Sequence, residues 1–184
     1  MSTNKEKTRC FISLSLPSLF VKEIVSVQQQ IQHASIIRGK FTKEENIHLT
    51  LKFLGEITDD QIRNVDEALQ HIHFKPFSVK LADVGVFSKR HIRIIWMHLL
   101  GADEIQNKVD EALSKQFKPE ERFMSHITMA RVKHLNVEKE KALHFLDHIS
   151  TSNPQATIDS FTLKKSTLTP QGPNYKILKR YRAG

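Results

Sequence analysis

Apolar and polar residues alternate along Cys10–Leu16, CFISLSL, the period-two pattern of a half-buried strand. Pro17 then opens a helix, a favoured place for proline, and Phe20, Ile24, Val27 and Ile31 follow at helical spacing. Ile47–Leu54, IHLTLKFL, is strand-like, with Gly55 as its expected stop. Thr58 is a natural N-cap for a helix over Asp59–His71, whose apolar stripe is Ile62, Val65 and Leu69. Phe77–Phe87 and His91–Leu99 form a predicted hairpin across the polar link Ser88-Lys89-Arg90. A helix is predicted over Asp103–Phe117, with Ile105, Val109 and Leu113 on one face. Phe123–Val132 reads as a strand and Val137–Ile149 as a helix. Ile158–Leu168, a Pro/Gly turn at 169–173 and Asn174–Tyr181 read as strand, turn and strand. Helices and strands mix without regular βαβ alternation, and hairpins point to antiparallel sheets, so the expected class is α+β. Residues 9–184 are expected to form one domain behind a polar leader, residues 1–8.

Within this pattern one feature recurs. His48-Leu49-Thr50 lies in one predicted strand and His126-Ile127-Thr128 in another. Residues i and i+2 of a strand share a face. Each histidine therefore shares a polar face with its threonine, while Leu49, Leu51, Ile127 and Met129 turn to a core. Two imidazoles meeting across a cleft suit phosphoryl chemistry without a metal. The neutral ring takes a proton from attacking water, and the protonated ring gives one to the departing oxygen. An unperturbed pKa of ~6.5 lets both forms coexist near neutrality. Thr50 and Thr128 can donate to the phosphate oxygens. Five residues after each histidine stand Phe53, an aromatic ring able to stack on a base, and Arg131, a cation that binds phosphate or covers the other face of the base. Strict alternation turns both inward: for Phe53 that favours core packing unless the strand bulges or ends before Gly55, whereas a charged side chain seldom faces a core, so a bulge is expected before Arg131.

Charge narrows the partner. Lys and Arg number 28 against 20 Asp and Glu, a net charge of +8, which favours a polyanion such as nucleic acid. Of the ten histidines, His33, His71 and His73 fall near predicted helix ends and carry no catalytic role. His71-x-His73 is the one His-x-His pair, and no His-Glu-x-x-His occurs beside either triplet, so no metal or other cofactor is expected. The single cysteine, Cys10, permits no internal disulfide. No apolar run approaches the ~20 residues of a membrane span, and the polar start has no signal-peptide core. The expectation is a cytoplasmic monomer with no membrane partner.

The duplicated triplets, in NIHLTLKFLGEI and SHITMARV, resemble the 2H phosphoesterase superfamily, and within it the LigT/ThpR-like branch of RNA 2',3'-cyclic phosphodiesterases, once described as 2'–5' RNA ligases. The resemblance runs from Arg9-Cys10-Phe11-Ile12 to the ending LKKSTLTPQGPNYKIL, with Met129 standing where leucine is usual. It implies two pseudo-symmetric lobes, each an antiparallel sheet with outer helices, around a central cleft. It implies His48 as general acid and His126 as general base, with Thr50, Thr128 and Arg131 on the phosphate and Phe53 on the base. It also implies metal-free hydrolysis of 2',3'-cyclic phosphate ends of RNA, or of cyclic nucleotides, to a 2'-phosphate. The same site run backwards would make it a 2'–5' ligase, and a silent RNA-binding module is a third reading, which two intact triplets disfavour.

Overall fold

The computed structural model describes residues 6–184. The polar leader lies mostly outside the described residues, and the first strand, β1, already starts at Lys7 and runs to Leu14. Helix α1 (Ser18–His33) follows Pro17 and buries Phe20, Ile24, Val27 and Ile31, the predicted stripe. A short strand β2 (Ile37–Phe41) and a single 3-10 turn at Glu44–Asn46 come next; neither has a clear period in sequence. Strand β3 (Leu49–Thr58) is longer than expected, because Gly55 does not end it. Gly55 instead adopts φ +73° within a strand that continues to Thr58.

Thr58 caps α2 (Asp59–Gln70) in a reciprocal capping box with Gln61. The hairpin β4 (Phe77–Val86) and β5 (Ile94–Leu100) leads into α3 (Asp103–Leu113) and then β6 (His126–Leu135). Helix α4 (Lys139–Asp147) and the four-residue β7 (Gln155–Ile158) precede the closing hairpin, β8 (Ser160–Thr169) and β9 (Gly172–Arg182).

These strands make two antiparallel sheets, ordered β3-β1-β8-β9 and β2-β6-β5-β4-β7. The fold is the α+β, two-lobed arrangement that the sequence implied. The C-terminal hairpin returns to pair with β1, so the first lobe is built from both ends of the chain. The helices also cross over. Helix α1 follows a strand of the first sheet but packs on β2 and β6 of the second, while α3 follows the second sheet but packs on β3 and α2. Each lobe thus depends on chain threaded through the other, and one continuous set of buried side chains spans both. Strands β3 and β6, which carry the two triplets, approach each other at the junction of the sheets.

Candidate active site

The two histidines are held in the same way. His48 precedes β3, and its Nδ1–H donates to the carbonyl oxygen of Asn46 at 2.7 Å. His126 opens β6, and its Nδ1–H donates to the carbonyl of Met124, also at 2.7 Å. In each lobe the acceptor lies two residues earlier. Donation through Nδ1 fixes the tautomer, so each neutral ring keeps its lone pair on Nε2. At His48 that lone pair accepts from the Thr50 hydroxyl at 3.0 Å.

The bulge expected before Arg131 is present, and a matching one stands before Phe53, which alternation alone turns to the core. In β3 the register against β1 skips Leu51, so that Thr50 pairs with Ser13 and Lys52 with Ile12. In β6 the register against β5 skips Met129, so that Thr128 pairs with Trp96 and Ala130 with Ile95. Both skipped residues stand three places after their histidine. One extra residue reverses the alternation beyond it. Phe53 therefore rejoins the face of Thr50, where it is 68% exposed, and Arg131 rejoins that of Thr128. A second accommodation stands beside Arg131, at Gly39, which pairs with Val132. A Cβ on Gly39 of β2 would come within 2.2 Å of the Arg131 carbonyl oxygen, so only glycine lets β2 lie that close.

Aromatic rings line both half-sites. Phe11 and Tyr175 flank His48 at centroid distances of 5.0 and 5.1 Å, and they touch each other at 4.9 Å. Phe53 lies 6.5 Å from Phe11. On the other lobe Phe87 meets His126 edge-on at 4.8 Å and rests against Trp96 at 5.8 Å. The sequence reading did not single out Phe11, Tyr175, Phe87 or Trp96. Phe11 carried a signal, since alternation put it on the face of Ser13. Tyr175 and Phe87 had none, because only the pairing of distant strands brings them to the histidines.

Burial is the main force on His48, and it pushes the pKa down to about 4. The bond to Asn46 opposes this, while Lys164 of β8 and His126 lower it further. Burial also depresses the Lys164 ammonium, with Arg180 acting in the same direction. Tyr175 is raised by burial, against a pull from Arg131 of the opposite lobe. Beneath these groups the hydroxyls of Ser13 and Thr162 bond at 3.1 Å in a fully buried floor. The cleft therefore gathers two imidazoles, hydroxyl donors and cations from both lobes, with no carboxylate among the residues named. Such a lining binds an anion and can move a proton at either of two points beside it. Among the described residues no three His, Cys, Asp or Glu side chains sit together as a metal-binding group. His71 and His73 line a depression between α2 and α3 instead.

Residues 14–96 and 101–175 each match the family of LigT-like phosphoesterases, one segment for each triplet. An RNA 2',3'-cyclic phosphodiesterase of Methanocaldococcus jannaschii is 31% identical over 180 residues, covering 94% of this chain and 99% of that protein. A protein of the same description from Archaeoglobus fulgidus is 30% identical, covering 93% and 98%. The fold agrees with that of the Thermus thermophilus protein TT0787, at a TM-score of 0.80 and 22% identity over 95% of this chain and 97% of that one. It also agrees with that of E. coli LigT in complex with 3'-AMP, at 0.73 and 21% identity over 97% and 98%. The chain belongs to the LigT-like phosphoesterase family.

Proposed function

We propose that this protein is an RNA 2',3'-cyclic phosphodiesterase that opens the cyclic phosphate to a 2'-phosphate by acid–base catalysis at His48 and His126, without a metal. The observation that carries the reading is the matched pair of histidines, each tied through Nδ1 to a carbonyl two residues earlier and each followed by a threonine on the cleft face. The relatives that share nearly the full length support the same activity.

In-line attack at phosphorus requires the base and the acid on opposite sides of the phosphate. His126 Nε2 takes the proton from water as it attacks. His48 Nε2–H gives a proton to the departing 3'-oxygen. Thr50, Thr128 and Arg131 hold the non-bridging oxygens as their charge grows. Phe53 supports the base and so sets which ribose oxygen meets His48. With its pKa pushed down to about 4, His48 is neutral at pH 7. The acid role therefore requires it to take up a proton as the anionic phosphate enters, because the new negative charge offsets burial and the repulsion from Lys164.

Water at ~55 M outcompetes a 5'-hydroxyl unless a second strand is held in place, so hydrolysis is favoured over ligation. No helix among the described residues is long and apolar enough to cross a membrane. The assigned setting is a cytoplasmic monomer acting on RNA ends or cyclic nucleotides. The test is to incubate the protein with a cyclic-ended oligoribonucleotide in the presence of EDTA, with and without a 5'-hydroxyl acceptor. Chromatography against authentic 2'- and 3'-phosphates reads the product. A 2'-phosphate is expected. A predominant 3'-phosphate would reverse the roles of the two histidines, and a joined strand would favour the ligase.

A further inference from the structure

The link between β4 and β5 borders the cleft beside His126. It runs Phe87-Ser88-Lys89-Arg90-His91-Ile92-Arg93, with three cations and no acidic residue, and all but Ile92 are exposed. None of the side chains of Lys89, Arg90 and Arg93 has a carboxylate or hydrogen-bond partner among the described residues, although the Arg93 backbone carbonyl accepts from Val132 N–H. Phe87 opens this link and stands at the lip beside His126, 51% exposed. An exposed phenylalanine is unremarkable alone. This one is built in from beneath. Its ring rests on Trp96, and the Trp96 ring lies so close over Gly85 that a Cβ there would come within 2.4 Å of it. The platform is therefore held in place before any ligand arrives, and its outer surface is open.

A fixed aromatic surface followed by unpaired cations is the arrangement that binds single-stranded nucleic acid, by stacking a base and pairing with the backbone. The reacting cyclic nucleotide already has Phe53 on the opposite lobe and Arg131 on β6, which pairs with Ile94 just past the link. We propose that the β4–β5 link is the track for the upstream strand of a single-stranded RNA substrate: Phe87 stacks the base of a neighbouring nucleotide, and Lys89 and Arg90 take its phosphodiesters. This rests on the reading of the cleft given above, and it specifies an RNA end, rather than a cyclic mononucleotide, as the preferred substrate.

The test compares wild type with the Lys89→Ser/Arg90→Ser double variant and with Phe87→Ala. The first measurement needs no turnover: binding of a fluorescent single-stranded oligoadenylate ending in a 3'-phosphate, across a salt series. The double variant should bind roughly tenfold more weakly at low salt. The slope of log affinity against log salt should become shallower by about 1.4, for two lost phosphate contacts. Phe87→Ala should cost roughly tenfold without changing the slope, as expected for one stacked base. In turnover, the double variant should lose a similar factor in kcat/KM on a cyclic-ended oligomer while hydrolysing a 2',3'-cyclic mononucleotide as wild type does. Unchanged binding and slope, or an equal loss on oligomer and mononucleotide, would overturn the track. Failure of wild type to hydrolyse either substrate would overturn the cleft reading instead, leaving the binding result to judge the track.

Discussion

The two half-sites, HLTLKF and HITMAR, share a backbone device but differ in what the device turns inward. In both, a bulge three residues past the histidine sends the fifth residue to the cleft. The residue between must then go the other way. In β6 that residue is Ala130, fully buried and apolar, which needs nothing. In β3 it is Lys52, only 2% exposed. Its ammonium forms an ion pair with Asp110 of α3 and donates to the carbonyl of Lys118 at 2.7 Å. Asp110 also accepts from Gln106 and from the backbone N–H of Glu120, both at 2.8 Å. Burial alone would raise its pKa, but Lys52 and these donors outweigh that and hold it below the usual carboxylate range. The first lobe thus offsets its bulge with a buried polar network, and the network grips the segment leading to His126. The same local geometry is self-sufficient in one lobe and dependent on a helix in the other.

The largest expected effect breaks that asymmetry. Lys52→Met leaves Asp110 buried without its counter-charge and should cost about 3–5 kcal/mol of stability, read by denaturant unfolding. The double change Lys52→Met/Asp110→Leu should recover much of it, since a packed apolar pair is often no worse than a buried ion pair. If the single change is neutral, the network does not secure the bulge.

Next come the shared parts. His48→Ala and His126→Ala should each lower turnover by at least ~100-fold with the fold retained by circular dichroism. Near-normal rates in either variant would remove that histidine from the chemistry.

The fifth residues should then separate the lobes by function. Arg131→Ala should lower kcat/KM by more than tenfold, roughly the worth of a charge on the phosphate, whereas Phe53→Ala should act mainly on KM by a smaller factor. Equal effects on kcat would erase the assigned division between phosphate and base.

The smallest effect concerns protons. Binding of a 2'-nucleotide near pH 6 should take up part of a proton at His48, visible as a dependence of binding heat on buffer ionisation enthalpy. NMR of the free protein should show His48 titrating near 4. This depression also has a sign for stability. The unfolded ring binds a proton below about 6.5 and the folded ring resists it, so stability from this site is complete above that pH and lost as pH falls towards 4. Binding without proton uptake would instead fit His48 as the base.

Period and spacing were sufficient for much of this molecule. The stripe of α1, the Thr58 cap, the β4–β5 hairpin and the paired triplets all follow from local rules, because each is a relation among residues a few places apart. The bulges were half legible: a charged Arg131 on a nominal core face demanded one, and chain pattern alone could not say where it fell. Tertiary structure decided the rest. Nothing local distinguishes Lys52 from a solvated lysine until α3 supplies Asp110. Tyr175 and Lys164 meet His48 only because β8 pairs with β1 from the far end of the chain. Phe87 meets His126 only through the β4–β5–β6 ladder. The histidines themselves were determined by sequence, but the desolvation of His48 and the charges that reach it were not, since both depend on distance in space rather than along the chain.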